Sequence, residues 1–208
     1  FAKECCLYPK AAAACEIVYA IAKELPVKLT PQIATCLYTG MATDTGCFQF
    51  DNVTPHTLRI VADLMEQFPE IHYAWINRAM FAVKSMGRLR VEQKLIDQLH
   101  TSCNGKCVMI CITLAFMEQY GLDPLDLDGL AGFPLQVEGA EVGITLKERE
   151  PNVFKVSMRS ARTVDVAAIC KEFGGGGHIK AAGCLIEGTA ESVMQRLQTA
   201  VERSLAES

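Results

Sequence analysis

Residues 174–178, four consecutive glycines followed by His178, place side-chain-free backbone beside an imidazole. In a regular element each glycine costs about 0.5–1 kcal/mol relative to alanine, so the run suits a turn that something must approach closely. Successive unshielded N–H groups from Gly174 to Gly177 could form a concave anion nest, with His178 as a neighbouring donor to a phosphate or a base. The alternative is a glycine-rich helix end beside an incidental surface histidine. Neither standard phosphate fingerprint fits: no Gly-Lys-Ser/Thr ending occurs, and Ile179 stands where a third glycine of the dinucleotide pattern would fall. A second constellation is ATDTGCFQF, residues 42–50, with Asp44 between Thr43 and Thr45. By itself it reads as an Asx or Ser/Thr turn leading into an alternating Cys47, Phe48, Gln49, Phe50 strand.

Periodicity shows the elements that must position these residues. Thr163 suits an N-cap, Asp165 the first turn, and Val166, Ile169, Cys170 and Phe173 one apolar face, which predicts a helix over 163–173 closed by Gly174. Upstream, Val142, Ile144 and Leu146 alternate with Glu141, Gly143, Thr145 and Lys147, and Phe154, Val156 and Met158 alternate with Lys155, Ser157 and Arg159. Glu150-Pro151-Asn152 turns between the two strands, so Arg159 leaves the apolar face of a hairpin that feeds the glycine helix. CVMICIT, from Cys107, reads as an earlier strand, 115–120 as a short helix ending at Gly121, and 190–205 as the closing helix. The N-terminal half reads as helices: 11–25, a second opened by Thr30-Pro31 and ending near Gly40, a third from Thr54-Pro55 through Gln67, then about 71–85 and 90–100. RVEQKLIDQL is polar enough for a connector, and the change to alternating strands and helices around 101–106 marks a domain boundary.

Half of the 208 residues are hydrophobic, ample for packed cores. A net charge of −4 and a pI near 5.6 argue against a broad basic surface for long duplex nucleic acid and leave room for a local phosphate pocket with a short ligand. No apolar run reaches the roughly 18 residues that span a bilayer, and no signal-peptide layout opens the chain. The cytoplasm is therefore the default location, with no membrane partner expected. The ten cysteines lie mostly in apolar segments, Cys15, Cys36, Cys111 and Cys184 among them, and read as buried free thiols. Cys103, Cys107 and Cys111 are spaced by four, but the β-branched CVMICIT argues against the helix that would align them on a metal.

LYTGMATDTGCFQFDNVTPHTLRIVADL, followed by VSMRSARTVDVAAICKEFGGGGHIKAAGC, resembles the DHH-family phosphoesterases, most closely their bifunctional oligoribonuclease and 3′-phosphoadenosine-5′-phosphate phosphatase group. The resemblance covers essentially the whole chain, including YPKAAAACEIVY, which is similar to the helix after the family's Asp-His-His motif. It is the ordered pair of motifs that is specific. The resemblance implies an α/β enzyme of two domains. Residues 1–88 would be the mainly helical C-terminal part of a parallel-sheet DHH catalytic domain, 89–104 a helical linker, and 105–208 a mixed-sheet DHH-associated domain that grips substrate. It further implies two divalent ions, usually manganese, which polarise the phosphoryl group and generate a hydroxide for in-line attack. Asp44 matches a metal-ligating, catalytic aspartate. Arg159 and Ser160 of the RS pair, with Gly174, Gly175, Gly176, Gly177 and His178, match substrate-binding motifs. The chemistry agrees: a guanidinium grips phosphate bidentately, glycine amides approach it closely, and imidazole bonds or stacks with a base. The implied substrates are short single-stranded RNA, cut to nucleoside monophosphates, dinucleotides, and 3′-phosphoadenosine 5′-phosphate (pAp). A homodimer is compatible with the resemblance.

The chain departs from the family pattern at its start. The first three metal motifs, Asp-His-His included, do not occur, and the sequence opens on Phe1. One carboxylate cannot hold two hard cations that each take about six ligands. The expectation is a fragment of an active parent, itself with little or no phosphoesterase activity. Two further readings stay open: hydrolysis of cyclic or linear dinucleotides, and a non-catalytic nucleotide- or RNA-binding module akin to the DHH-associated domain of alanyl-tRNA synthetases. Thr43 and Thr45 either orient Asp44 or satisfy the turn's own backbone. Ser160 either caps the strand end or touches substrate, Lys180 meets phosphate or solvent, and Glu16 is expected to be solvated.

Overall fold

A computed structural model describes residues 7–26, 28–122, 127 and 129–207; Cys5 and Cys6 lie outside them. Two compact units divide the chain, Phe1–Lys84 and Ser85–Ser208.

The first unit is helical among its described residues: α1 (Ala14–Glu24), α2 (Pro31–Asp44), α3 (Pro55–Gln67) and α4 (Tyr73–Asn77), which runs into a π turn over Arg78–Ala82. The Thr-Pro pairs act as expected. Thr30 accepts the Ile33 N–H at 3.3 Å, and Thr54 accepts that of Thr57 at 3.1 Å while the Thr57 hydroxyl accepts the Thr54 N–H at 3.2 Å, a reciprocal capping box. Leu37, Tyr38, Met41, Ile60, Leu64 and Tyr73 form the core of this unit.

Two expectations fail here. Gly40 does not end α2; a Cβ on it would collide with Cys15 Sγ, so this glycine lets α1 come close and the helix continues to Asp44. Nor do residues 47–50 form a strand. Gly46, Cys47 and Phe48 all adopt left-handed conformations (φ 56°, 57° and 64°), and the N–H groups of Gln49 and Phe50 donate to the Thr45 carbonyl at 3.0 and 3.1 Å. The chain thus curls back on the end of α2. The helix expected over 71–85 is also shorter, giving way to the π turn before Val83.

The second unit opens with α5 (Met86–Ile96), whose Val91 and Leu95 pack with Ile110, Ile112 and Phe116 despite its polar composition. Then follow β1 (His100–Ser102), β2 (Cys107–Ile112), α6 (Leu114–Tyr120), a 3₁₀ segment (Leu130–Gln136), β3 (Val142–Glu150), β4 (Val153–Ser160), α7 (Val166–Glu172), β5 (Gly176–His178), β6 (Ala181–Glu187) and α8 (Ala190–Glu207). The strands make one mixed sheet in the order β1-β2-β3-β4-β6-β5, with β2 and β3 parallel and every other pair antiparallel.

Because side chains alternate across a sheet, its two faces differ sharply. One carries Met109, Ile144, Val156 and Met158 and is buried with Ile169 of α7 and Leu197 of α8. On the other face, Ile110 and Ile112 are packed with α5 and α6, and Gly143 leaves room for Pro134 and Leu135 of the 3₁₀ segment. Beyond that cover, over β4, β6 and β5, the same face presents Lys155, Ser157, Arg159, Gly183, Leu185 and His178, each half-buried or exposed.

The thiols vary more than their apolar surroundings imply: Cys107, Cys170 and Cys184 are buried, Cys15, Cys47, Cys103 and Cys111 half-buried, and Cys36 exposed. Burial pushes the Cys107 thiol up to about 12 and that of Cys111 up to about 11, so neither is a thiolate at neutral pH. Among the described residues no helix is long and apolar enough to cross a membrane.

Candidate functional site

A pocket of about 640 Å³ opens on the uncovered part of the sheet, and Arg159, Gly174, Gly175 and Gly176 all line it. Register explains why residues so far apart in sequence meet. Arg159 pairs with Ala181, and Ala181 with His178; Ser157 pairs with Gly183, and Gly183 with Gly176; Lys155 pairs with Leu185. Directly paired residues share a face, so the floor consists of parallel rows. The middle row, Ser157–Gly183–Gly176, carries almost no side chain.

Arg159 is half-buried, its Nη1 donates to the Met158 carbonyl at 3.0 Å, and burial lowers its guanidinium from the usual range without threatening its charge. His178 ends β5, exposed and outside the pocket's lining. Ser160 turns the other way. It is buried, and its hydroxyl faces a Glu141 oxygen at 3.5 Å, which makes it part of the scaffold.

Glycines 174–177 do not form an anion nest. The Gly174 and Gly175 N–H groups donate to the Lys171 and Cys170 carbonyls at 3.0 and 2.9 Å and close α7, Gly174 being left-handed at φ 73°. Gly176 and Gly177 belong to β5. What the run provides is close approach: a Cβ on Gly175 would run into the Gly183 carbonyl and Cys184, and one on Gly177 would lie 2.5 Å from the Ala181 carbonyl.

Glu141, absent from the sequence reading of the site, holds the segment that joins Arg159 to α7. Its Oε1 accepts the N–H groups of Thr163, Arg162 and Val164 at 2.7, 3.1 and 3.2 Å. Burial alone would raise this carboxyl, but those three N–H donors, with the Arg162 side chain, hold it below its usual range. The Thr163 amide is thereby taken, and the N-cap of α7 is Asp165, which accepts the Ala168 N–H at 2.9 Å. Lys155 and Ser157 were also within reach of sequence reasoning, since the alternation that exposes Arg159 places both on its face. Lys180 Nζ is enclosed with no hydrogen-bond partner among the described residues.

In the first unit Asp44 is the exposed last residue of α2. Asn52 Nδ2 ties its carbonyl at 3.1 Å to that of Ala12 at 3.0 Å, bringing together the end of α2, the start of α1 and the loop before α3. Thr43 donates to the Thr39 and Gly40 carbonyls at 3.0 Å, and Thr45 to that of Met41 at 2.6 Å; both satisfy backbone and neither orients Asp44. Glu16 is buried, accepting the Ala12 N–H at 3.3 Å and the Thr57 hydroxyl at 2.5 Å, because the N-terminal ends of α1 and α3 converge on it. A carboxylate at a helix C-terminus favours a cation. Among the described residues no three His, Cys, Asp or Glu side chains cluster as a metal site around Asp44 or elsewhere. A smaller hollow of about 350 Å³, lined by Lys23, Lys28 and Phe68 among others, contains none of these residues.

A mixed sheet with part of one face left open over a pocket lined by Lys155, Arg159 and glycines defines the α/β domain of the second unit. Residues 105–207 match the family model of the DHHA1 domain, and over most of its length the chain is similar to DHH-family proteins. It is 33% identical over 198 residues to the bifunctional oligoribonuclease and PAP phosphatase NrnA of Thermus thermophilus, covering 95% of this chain and 58% of that protein. The A-adding tRNA nucleotidyltransferase of Aquifex aeolicus is 24% identical to it, with 93% of this chain and 23% of the relative covered. Among solved structures, an exopolyphosphatase-related protein from Bacteroides fragilis shares the fold with a TM-score of 0.84 at 24% identity, over 94% of this chain and 58% of that one. The chain thus spans 58% and 57% of the lengths of the first curated relatives it matches.

Proposed function

We propose that the protein to which this chain contributes is a manganese-dependent, cytoplasmic phosphoesterase that hydrolyses short oligoribonucleotides to nucleoside monophosphates and dephosphorylates pAp. The observation that carries this reading is the convergence of Arg159 with Gly174, Gly175 and Gly176 on one open pocket of a DHHA1 domain. At about 640 Å³ the pocket suits a nucleotide and not a duplex. A guanidinium beside side-chain-free backbone offers a phosphate bidentate donors, and His178, in the same row though outside the pocket's lining, is the residue assigned to the base in this reading. The substrate class follows the name of the Thermus relative.

Asp44 donates one carboxylate to the metal centre, whose ions supply Lewis-acid and hydroxide chemistry when bound. With so few ligands, the 208-residue chain binds substrate without turning it over. Calorimetry with pAp and a short RNA tests this: Arg159→Ala weakens binding about tenfold or more, and His178→Ala weakens it less. Unchanged affinity in both variants sinks the assignment, and manganese-dependent hydrolysis by the chain, abolished by Asp44→Ala, sinks the claim of inactivity.

Similarity to the Aquifex nucleotidyltransferase favours a second reading, a binding module that presents RNA to another enzyme's active site. Turnover of pAp by a longer version of the protein with manganese separates the two.

A further inference from the structure

Lys155 lines the same pocket as Arg159, four residues earlier on β4 and on the same face. At about 3.4 Å per residue the two backbones are about 13–14 Å apart along the strand. Between them lies the Ser157–Gly183–Gly176 row, whose floor is a hydroxymethyl and two hydrogens. A flat gap with a cation at each end matches a ring system carrying an anionic group on either side. Both side chains are long enough to lean inward over it. Lys155 is exposed and, among the described residues, has no hydrogen-bond or ion-pair partner, so its ammonium is available to a ligand. Leu185, 64% exposed and directly opposite Lys155, gives that end of the gap an apolar wall for a sugar or base. The chain as a whole is acidic, with a net charge of −4, so this pair of cations is a local feature of one face.

We propose that Lys155 determines specificity by gripping a second phosphoryl group, so that the pocket selects ligands with a phosphate on both the 3′ and 5′ sides of one nucleoside over nucleoside monophosphates. This rests on the nucleotide-pocket reading above. It assigns Arg159 one phosphate, the side-chain-free row the nucleoside, and Lys155 the other phosphate.

The test is calorimetric titration of the 208-residue chain, as wild type, Lys155→Gln and Lys155→Arg, with pAp, 5′-AMP and 3′-AMP. The wild type should bind pAp about tenfold more tightly than the better monophosphate, the order expected for one added charge-assisted contact. Lys155→Gln should bring pAp to within about twofold of the better monophosphate, the one whose phosphate Arg159 holds and whose own affinity stays within about twofold of wild type, while Lys155→Arg keeps the preference. A preference that survives Lys155→Gln, or an equal loss for all three ligands, overturns the assignment. If the wild type binds none of them, the nucleotide pocket itself fails and this inference with it. Thermal unfolding of the variants should match wild type, because Lys155 is exposed and packs into no core.

Discussion

Arg159 and His178 stand in one row of the sheet because Ala181 of β6 pairs with both. β5, the strand that carries His178, reaches β6 over glycines whose missing side chains let two backbones meet. The glycine run therefore acts on the pocket by bringing strands together, and its individual positions should respond differently to the same substitution.

Gly175→Ala places a methyl against the Gly183 carbonyl and 2.8 Å from Cys184 Cα. Backbone must shift, and the variant should lose about 1–3 kcal/mol in urea unfolding. Gly176→Ala meets nothing within 4 Å. Its stability should stay within about 0.5 kcal/mol of wild type, while the methyl, rising from the middle row, weakens pAp binding several-fold. Equal destabilisation of both variants would contradict this account of the run.

Glu141→Gln removes the anion that collects three N–H groups of residues 162–164. The expected cost is about 1–3 kcal/mol. The folded carboxyl lies below its usual value of 4.5, burial being outweighed by those donors, so its contribution is complete above that value and lost as pH falls through the lower folded one. Wild type should therefore lose stability below about pH 4.5 more steeply than Glu141→Gln. Parallel pH profiles by chemical denaturation would show that Glu141 does not carry the effect.

Lys180→Met replaces an enclosed ammonium that lacks a partner among the described residues. Leaving a buried donor unmade is costly, so the urea midpoint of the ligand-free chain should rise by the equivalent of about 1 kcal/mol. A lower midpoint would mean that the ammonium is satisfied in solution.

How far the sequence could be read depended on whether a signal was local. Alternation in β4 placed Arg159 off the core, and the same letters put Lys155 and Ser157 beside it, although the family motif reaches only Arg159 and Ser160. The Thr-Pro caps are equally local and behave as their chemistry dictates. Gly40 is ambiguous by nature, since one letter serves both to end a helix and to admit a neighbour, and only Cys15, 25 positions earlier in the sequence, decides. The anion nest fails for a similar reason: where the Gly174 and Gly175 amides point is set by α7, and where Gly176 and Gly177 lie is set by β6. Thr163 does not cap α7: its amide and hydroxyl both face Glu141, 22 residues away, and Asp165 accepts the Ala168 N–H instead. Glu16 is buried by Thr57, 41 residues on.

The central claim is that a nucleotide sits on the open face of β4, β6 and β5. Titrating the ¹⁵N-labelled chain with pAp and following amide and Arg Nε signals tests it most directly. The account predicts that the largest shifts fall on Arg159 Nε and on the amides of Gly174, Gly175 and Gly176. Shifts confined to the hollow around Lys23, Lys28 and Phe68, with the glycine amides unmoved, would contradict it.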